Sequence, residues 1–588
     1  MKNAMRARGL GLAAVAAVGL AGPALAVPST QYRGCDGYGA PSDEGDGMTS
    51  YANVLGIFNP SGYGTTGLSA TFTGQQGVQA CTDALTDVPD AHWMRKVSLL
   101  RARAIHHLEA GDAKAALADL DLADAAVKDP SDVYYARSLG WGLKIVRAYA
   151  MKQDGQKAEA EARAMAALAE RPYNRQDIAS ADMVLQPNGA QADEDEVLRD
   201  IARFVPSERA RVFLKALLSK DYDAALAIYP HLVPPQDTGG GSVFRGVEEQ
   251  TGARKLERDT LFHVVIGGYY AYLQAVLGHG DEAEKTLQSL RDALASATTP
   301  PPPPFDPNDS GDVARQKYVA AVRIQTAKYG QPMVDSWTML VENRIKAGQG
   351  KVEEVRKAVA AAQLPPGWAS GELLQAIAPR SAPKAAARSA RHARGTKDAE
   401  KSDNGKVLEI DQAVPITQVT DVPRSYVAAD LFKVLPEAES ARRIPPYEEA
   451  KKPWFAFTGS RDDLDTEGWR VREENGATVV GYRGVKSTAS IVEEMALLRV
   501  AEVAKERGFA GFIITDRKDT EFRIDTRYYG TTLRIDPDGY QCELTVLFVN
   551  PGALPGDYKG LDWLVFNAAD IAAALAPVYE APQAQKKE

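Results

Sequence analysis

The chain has 588 residues, with 69 Lys or Arg against 78 Asp or Glu and a formal net charge of −9. That balance offers no electrostatic footprint for nucleic acid or for a general attraction to anionic membranes. At about 150 residues per domain the length allows roughly three or four domains, fewer where helical repeats merge into one body.

Lys2, Arg6 and Arg8 precede a small apolar run from Leu10 to Gly22, which ends at Ala24-Leu25-Ala26. This order matches a secretory signal with a small-x-small cleavage site. The run is shorter than the roughly 20 residues a spanning helix needs, and no other stretch qualifies. Residues 1–26 are therefore expected to be a signal peptide, giving a mature protein that is periplasmic or secreted, without a transmembrane segment. Cys35 lies nine residues past Ala26 in a polar setting, which argues against lipid attachment. Only Cys81 and Cys542 accompany it, and no Cys-x-x-Cys occurs. In an oxidising compartment Cys35 and Cys81 are expected to pair, leaving Cys542 buried and free.

Residues 27–83 are rich in Gly, Ser, Thr and Tyr and are expected to be irregular. The acidic run Asp43-Glu44-Gly45-Asp46-Gly47 lacks the alternate ligands and closing Glu of a calcium loop, so a solvated turn is the better reading. A helical hairpin then spans Trp93 to Pro130. Val97, Leu100, Ala104 and His107 recur at helical spacing, Gly111-Asp112 forms a turn, and Ala116, Leu120 and Ala123 form the facing stripe. A second hairpin follows Tyr134 to Met151 with Gly155, Ala160, Ala164, Ala167 and Pro172. Small residues at such offsets let neighbouring helices approach closely.

These Gly, Ala and Pro positions resemble the tetratricopeptide repeat. The resemblance implies an α-solenoid whose stacked hairpins bind a peptide or protein on an inner face lined by the first helix of each repeat. Weaker copies run over Ala210 to Val233, Thr260 to Ala297 and Val313 to Ala362, so the array is placed at residues 84–363. Gln236 to Ser242 reads as a flexible loop and Pro300 to Pro304 as a rigid spacer.

Residues 364–414 turn to Ala, Pro, Ser, Lys and Arg, with Arg380, Lys384, Arg388, Arg391, Arg394 and Lys397 in one run, as in a disordered basic linker. Such a run can touch an anionic envelope polymer, although charge runs are usually solvated. Residues 415–588 change architecture to a small α/β (α+β) domain. Val471 to Glu474 and Ala477 to Val480 flank Asn475-Gly476, a type I′ hairpin signal. A helix is expected from Ser487 to Arg507, a central strand at Gly511 to Thr515, strands at Thr531 to Ile535 and Cys542 to Val549 joined by a turn at Asp536-Pro537-Asp538-Gly539, and a last helix capped by Asn567. Ala496 to Glu502 leading to Arg507-Gly508-Phe509-Ala510-Gly511-Phe512 is similar to a run in small bacterial envelope lipoprotein domains, a likeness that carries no catalytic residues.

The chemistry of a catalytic site is sparse. His106 and His107 are adjacent, so on a helix they point about 100° apart and cannot chelate together; His107, in the apolar stripe, is read as the core residue of the two. The C-terminal domain has no histidine. There is no Gly-x-Ser-x-Gly elbow, and Gly348-Gln349-Gly350-Lys351 lacks the rest of a phosphate loop. No cofactor or metal site is read. Arg101, Arg103, His106, Arg137, Lys144 and Arg147 are expected to be exposed on the first helices, a mildly basic set suited to an acidic tail or a carboxylate. The composite expectation is a multidomain exported scaffold or adaptor that binds a protein or peptide through the array. The alternative is a cell-envelope hydrolase of wall polymer that the array positions.

Overall fold

The computed structural model describes residues 29–38, 41, 72–88, 92–185, 191–235, 247–299, 310–362, 364–365, 367–378, 427–435, 444–451, 466–485, 487–528 and 531–579. The expected signal segment at 1–26, the acidic run at 43–47, the expected loop at 236–242, the prolines at 300–304 and the basic run at 380–397 lie outside them.

Helices dominate. α1 (Ser29–Asp36) and α2 (Gly74–Leu85) come first, then α3 (Trp93–Glu109) with α4 (Ala113–Ala126), a short α5 (Val133–Arg137), and α6 (Leu139–Gln153) with α7 (Lys157–Glu170). They are followed by α8 (Arg175–Leu185), α9 (Gln191–Phe204), α10 (Arg209–Ser219), α11 (Tyr222–Ile228), α12 (Val247–Val276), α13 (Gly280–Thr298), α14 (Ser310–Gly348), α15 (Val352–Ala361) and α16 (Trp368–Ala376). α3, α6 and α8 pack side by side in one layer, while α4 and α7 lie behind and between them.

One turn chemistry recurs through the helices. In the turns after α3, α6, α10, α12 and α14 a left-handed residue closes the first helix: Gly111, Gly155, Lys220, Gly278 and Gly350. The next residue's N–H reaches back five positions, in Asp112 to His107, Gln156 to Met151, Asp221 to Ala216, His279 to Gln274 and Lys351 to Lys346, at 2.8–3.0 Å. This is the Schellman arrangement, which satisfies carbonyls that a helix end otherwise leaves open. Asp112 and Asp221 then cap the following helix by accepting from Ala115 and Ala224. The expected hairpins therefore form, with a break at Ser138 dividing the helix expected from Tyr134. Trp368–Ala376, placed in the linker by composition, is instead a helix whose Ala369 and Leu373 are buried.

After the short helix α17 (Leu431–Val434), the C-terminal part is a five-stranded antiparallel sheet of order β1-β2-β4-β3-β5, with α18 (Ala489–Glu506) and α19 (Ala568–Tyr579). Its strands are β1 (Gly468–Glu474), β2 (Ala477–Val485), β3 (Gly511–Tyr528), β4 (Thr531–Val549) and β5 (Phe566–Asn567). Asn475 and Gly476 both take positive φ in the β1–β2 turn, as the Asn-Gly signal requires. Asn567 caps α19 through Ala569 and Asp570. The turn expected at Asp536–Gly539 does not form: these residues run inside β4, and a register shift at Phe522/Arg523 on β3 absorbs the irregularity.

The sheet is not a body hung on a tether. Phe512, Ile514, Leu544 and Val546 face α18 and join a core that continues through α1 to α9. On the alternate face Ile513, Leu547 and Val549 pack with Phe213, Leu214 and Ile266 of α10 and α12. Period-two alternation thus buries both sides of β3 and β4. Thr515 is the extra residue of a bulge, since Ile514 and Asp516 pair with consecutive residues of β4. The Ile514 carbonyl at this bulge is taken by the buried Arg209 guanidinium, which also donates to His231 O. Burial lowers the Arg209 pKa to about 10.

Candidate binding groove

The layer of α3, α6 and α8 carries a short peptide from the same chain. Residues 427–435 read Val-Ala-Ala-Asp-Leu-Phe-Lys-Val-Leu, and Ala428, Leu431, Phe432 and Leu435 are all buried. Their spacing of i, i+3, i+4 and i+7 is that of an amphipathic helix laid into a groove. Asp430 ties off the start of the segment by accepting from the Val427 N–H at 3.1 Å. The segment rests on α3 and α8, with Asp430 close enough to Tyr149 of α6 to act on its phenol.

Phe432 is the anchor, its ring 5.0 Å from the His106 imidazole, centroid to centroid. His106 is held from two sides: Nε2 donates to Cys35 O at 2.8 Å, and Nδ1 lies 2.7 Å from Glu109 Oε2, which also accepts from Gly74 N. A Cβ on Gly77 would stand 2.3 Å from His106 Nδ1, so this helix approach needs glycine. The Cys35–Cys81 disulfide joins α1 to α2 and so fixes the carbonyl that orients the ring. Cys542 is free and buried. Periodicity assigned the core role to His107, yet His106 is fully buried and His107 only half-buried, because α1 and α2 cover the side of α3 that the sequence left open.

The six basic candidates do not form one exposed patch. Arg101 is only 5 % exposed, and a Cβ at Gly142 would lie 2.6 Å from its Nη1, an atom without a hydrogen-bond partner. Burial lowers its pKa, opposed by Tyr38, Asp36 and Tyr135. Arg103 is clasped by Asp119 at 2.5 and 2.8 Å. Lys144 pairs with Glu170 of α7, and Arg147 bridges Asp121 and Asp124 of α4, so both lean toward the second helices. Of the six, His106 stands against Phe432 of the seated peptide.

Arg137 belongs to a second contact, between the helices and the sheet. Glu494 of α18 accepts from Arg171 and Asn174 through Oε1 and from Arg137 and Tyr579 through Oε2, at 2.5–2.8 Å. Beside it Glu493 receives Arg175 at 2.7 Å and Arg517 at 2.6 Å, and Arg517 reaches Asp519 at 2.8 Å. Burial raises the Glu494 carboxyl, but Arg137, Arg171 and the hydrogen bonds outweigh it and hold the group well below the usual carboxylate range. With four donors on its two oxygens, Glu494 is a structural anion with no lone pair left for acid–base work. Cys542 adjoins this cluster, and burial pushes its thiol far up. None of these partners was read from sequence; Asn174, the N-cap of α8 through Asp177 N, carried the one local signal.

Elsewhere, an open pocket of about 430 Å³ is lined by Thr478, Arg507, Phe509 and Phe548. Its cation is already committed, as Arg507 donates to Thr478 and Glu473 at 2.8 and 2.7 Å. Among the described residues no set of His, Cys, Asp or Glu is grouped to hold a metal ion, and no helix is long and apolar enough to cross a membrane. No family model, curated protein or solved structure matches the chain.

Proposed function

We propose that this protein is an exported cell-envelope scaffold of the tetratricopeptide-like kind, which binds a protein or peptide partner through its layer of first helices. The observation that carries the reading is the seating of residues 427–435 across α3 and α8 by apolar anchors at helical spacing. A face that holds one amphipathic peptide in this way has the chemistry of helix-in-groove recognition. Arg103, Arg137, Lys144 and Arg147 are committed to carboxylates of this chain and do not make up a ligand patch.

The test is affinity capture from the protein's own envelope fraction, comparing the wild type with Tyr149→Arg, which places a charge beside the seat. Loss of the same partner in the variant, with folding intact, supports the reading. Undiminished capture moves the site elsewhere. Export is tested by N-terminal sequencing of the mature protein, expected to begin at Val27.

A further inference from the structure

We infer that the groove over His106 recognises partner helices bearing an Asp-Leu-Phe-x-x-Leu pattern, and that residues 430–435 are a cis mimic which such a partner displaces. The inference rests on the scaffold reading and specifies the seat and the ligand chemistry.

The pattern follows from what each position meets. Asp430 caps its own first turn, which organises a helix too short to persist alone. Leu431 is fully buried and Leu435 nearly so, which requires apolar groups at i and i+4 of the ligand. Phe432 stands against an imidazole immobilised by Glu109 and by Cys35 O, so an aromatic ring is favoured at that position. The helix α17 itself is four residues long, and a short segment held by four apolar side chains is an interaction that a competing helix can replace.

A cis ligand acts at an effective concentration on the order of millimolar. A free peptide of roughly 10 µM intrinsic affinity is then suppressed roughly 100-fold in the intact chain. The probe is a fluorescein-labelled peptide of residues 425–438, titrated by anisotropy into the full chain and into a full-chain Leu431→Asp/Phe432→Asp variant whose own anchors cannot seat. At least tenfold tighter binding to the variant is expected, and a peptide with Ala at both anchor positions should not bind. Equal binding to both proteins, or none to a variant with wild-type thermal unfolding, overturns the inference.

Should the double variant unfold, Phe432→Ala serves in its place. Hydrogen exchange on the wild-type chain gives an independent readout: excess peptide should lower protection of residues 427–435 while keeping that of α3. Unchanged protection of the segment at saturating peptide overturns displacement. A concentration-dependent dimer whose segment crosslinks between copies would make the occupant a second chain and overturn the cis assignment. Peptide failure with partner capture intact removes this seat and leaves the scaffold reading standing.

Discussion

Arg137, at the end of α5, and Glu494, on α18, meet at 2.5 Å although 357 residues separate them in sequence. Glu494 is buried and Arg137 partly so, and each holds further partners, so the pair is a joint between the helices and the sheet. Removing Arg137 takes one of two guanidinium partners from the buried carboxylate, which keeps Arg171, Asn174 and Tyr579. Arg137→Ala is expected to cost about 1.5–3 kcal/mol, read from chemical denaturation, and a change near zero would show that the joint bears no load.

The same joint sets an acid limit. The Glu494 carboxyl sits well below its unfolded value, so its stabilisation is complete above an unfolded pKa of about 4.3 and drains away as pH falls toward the folded value. Unfolding free energy of the wild type should therefore fall below pH 4 with a slope steeper than that of Glu494→Gln, by about 1.4 kcal/mol per pH unit for one proton. Parallel slopes would mean that the carboxyl is not ionised in the native protein.

Two buried arginines make opposite forecasts. Arg209 supplies hydrogen bonds to two carbonyls, so Arg209→Met leaves them unpaired and is expected to lose about 1–3 kcal/mol. Arg101 has no hydrogen-bond partner at Nη1 and bears a desolvated charge, so Arg101→Met should hold or raise the melting temperature. Equal losses in the two variants would refute the distinction.

Lys220 is the one non-glycine closing residue among the five helical turns and takes φ 62°. A Cβ in that conformation is strained, and the side chain is exposed. Lys220→Gly is expected to gain about 0.5–1 kcal/mol in equilibrium unfolding.

Thiol titration checks the cysteine assignment. One reactive thiol is expected after unfolding without reductant, and none before it on the timescale of mixing, since Cys542 is buried with a raised pKa. Three thiols would contradict the Cys35–Cys81 bridge.

Local chemistry explains what could be read from the chain. Gly111 and Gly155 announced their turns, Asn475-Gly476 its hairpin, and Asn567 its cap, because each effect acts within a few residues. The basic side chains misled for the complementary reason. Charge on a helix reads as solvated, while the carboxylates that internalise Arg103 and Arg137 lie on other elements, the nearer of them at Asp119 and the farther at Glu494. Period alone picked His107 for the core, since α2, which covers His106, arrives from outside the α3–α4 hairpin. The Ala428, Leu431, Phe432 and Leu435 spacing was present in the sequence, but nothing local says which surface it fits.

The bonds that join Arg137 to Glu494 and to Tyr579 span 357 and 442 residues. A chain emerging from its N-terminus therefore forms α5 to α8 long before their ionic partners exist. During that interval Arg171 has only Asp177 for an ionic partner, Asn174 lacks Glu494 and Ser490, and the apolar face of α10 and α12 awaits its sheet. Closure of such distant contacts is slow and leaves surface open to association. A chain truncated before α19 should thus accumulate as a partly open species, and α19 completes the joint around Glu494 through Tyr579.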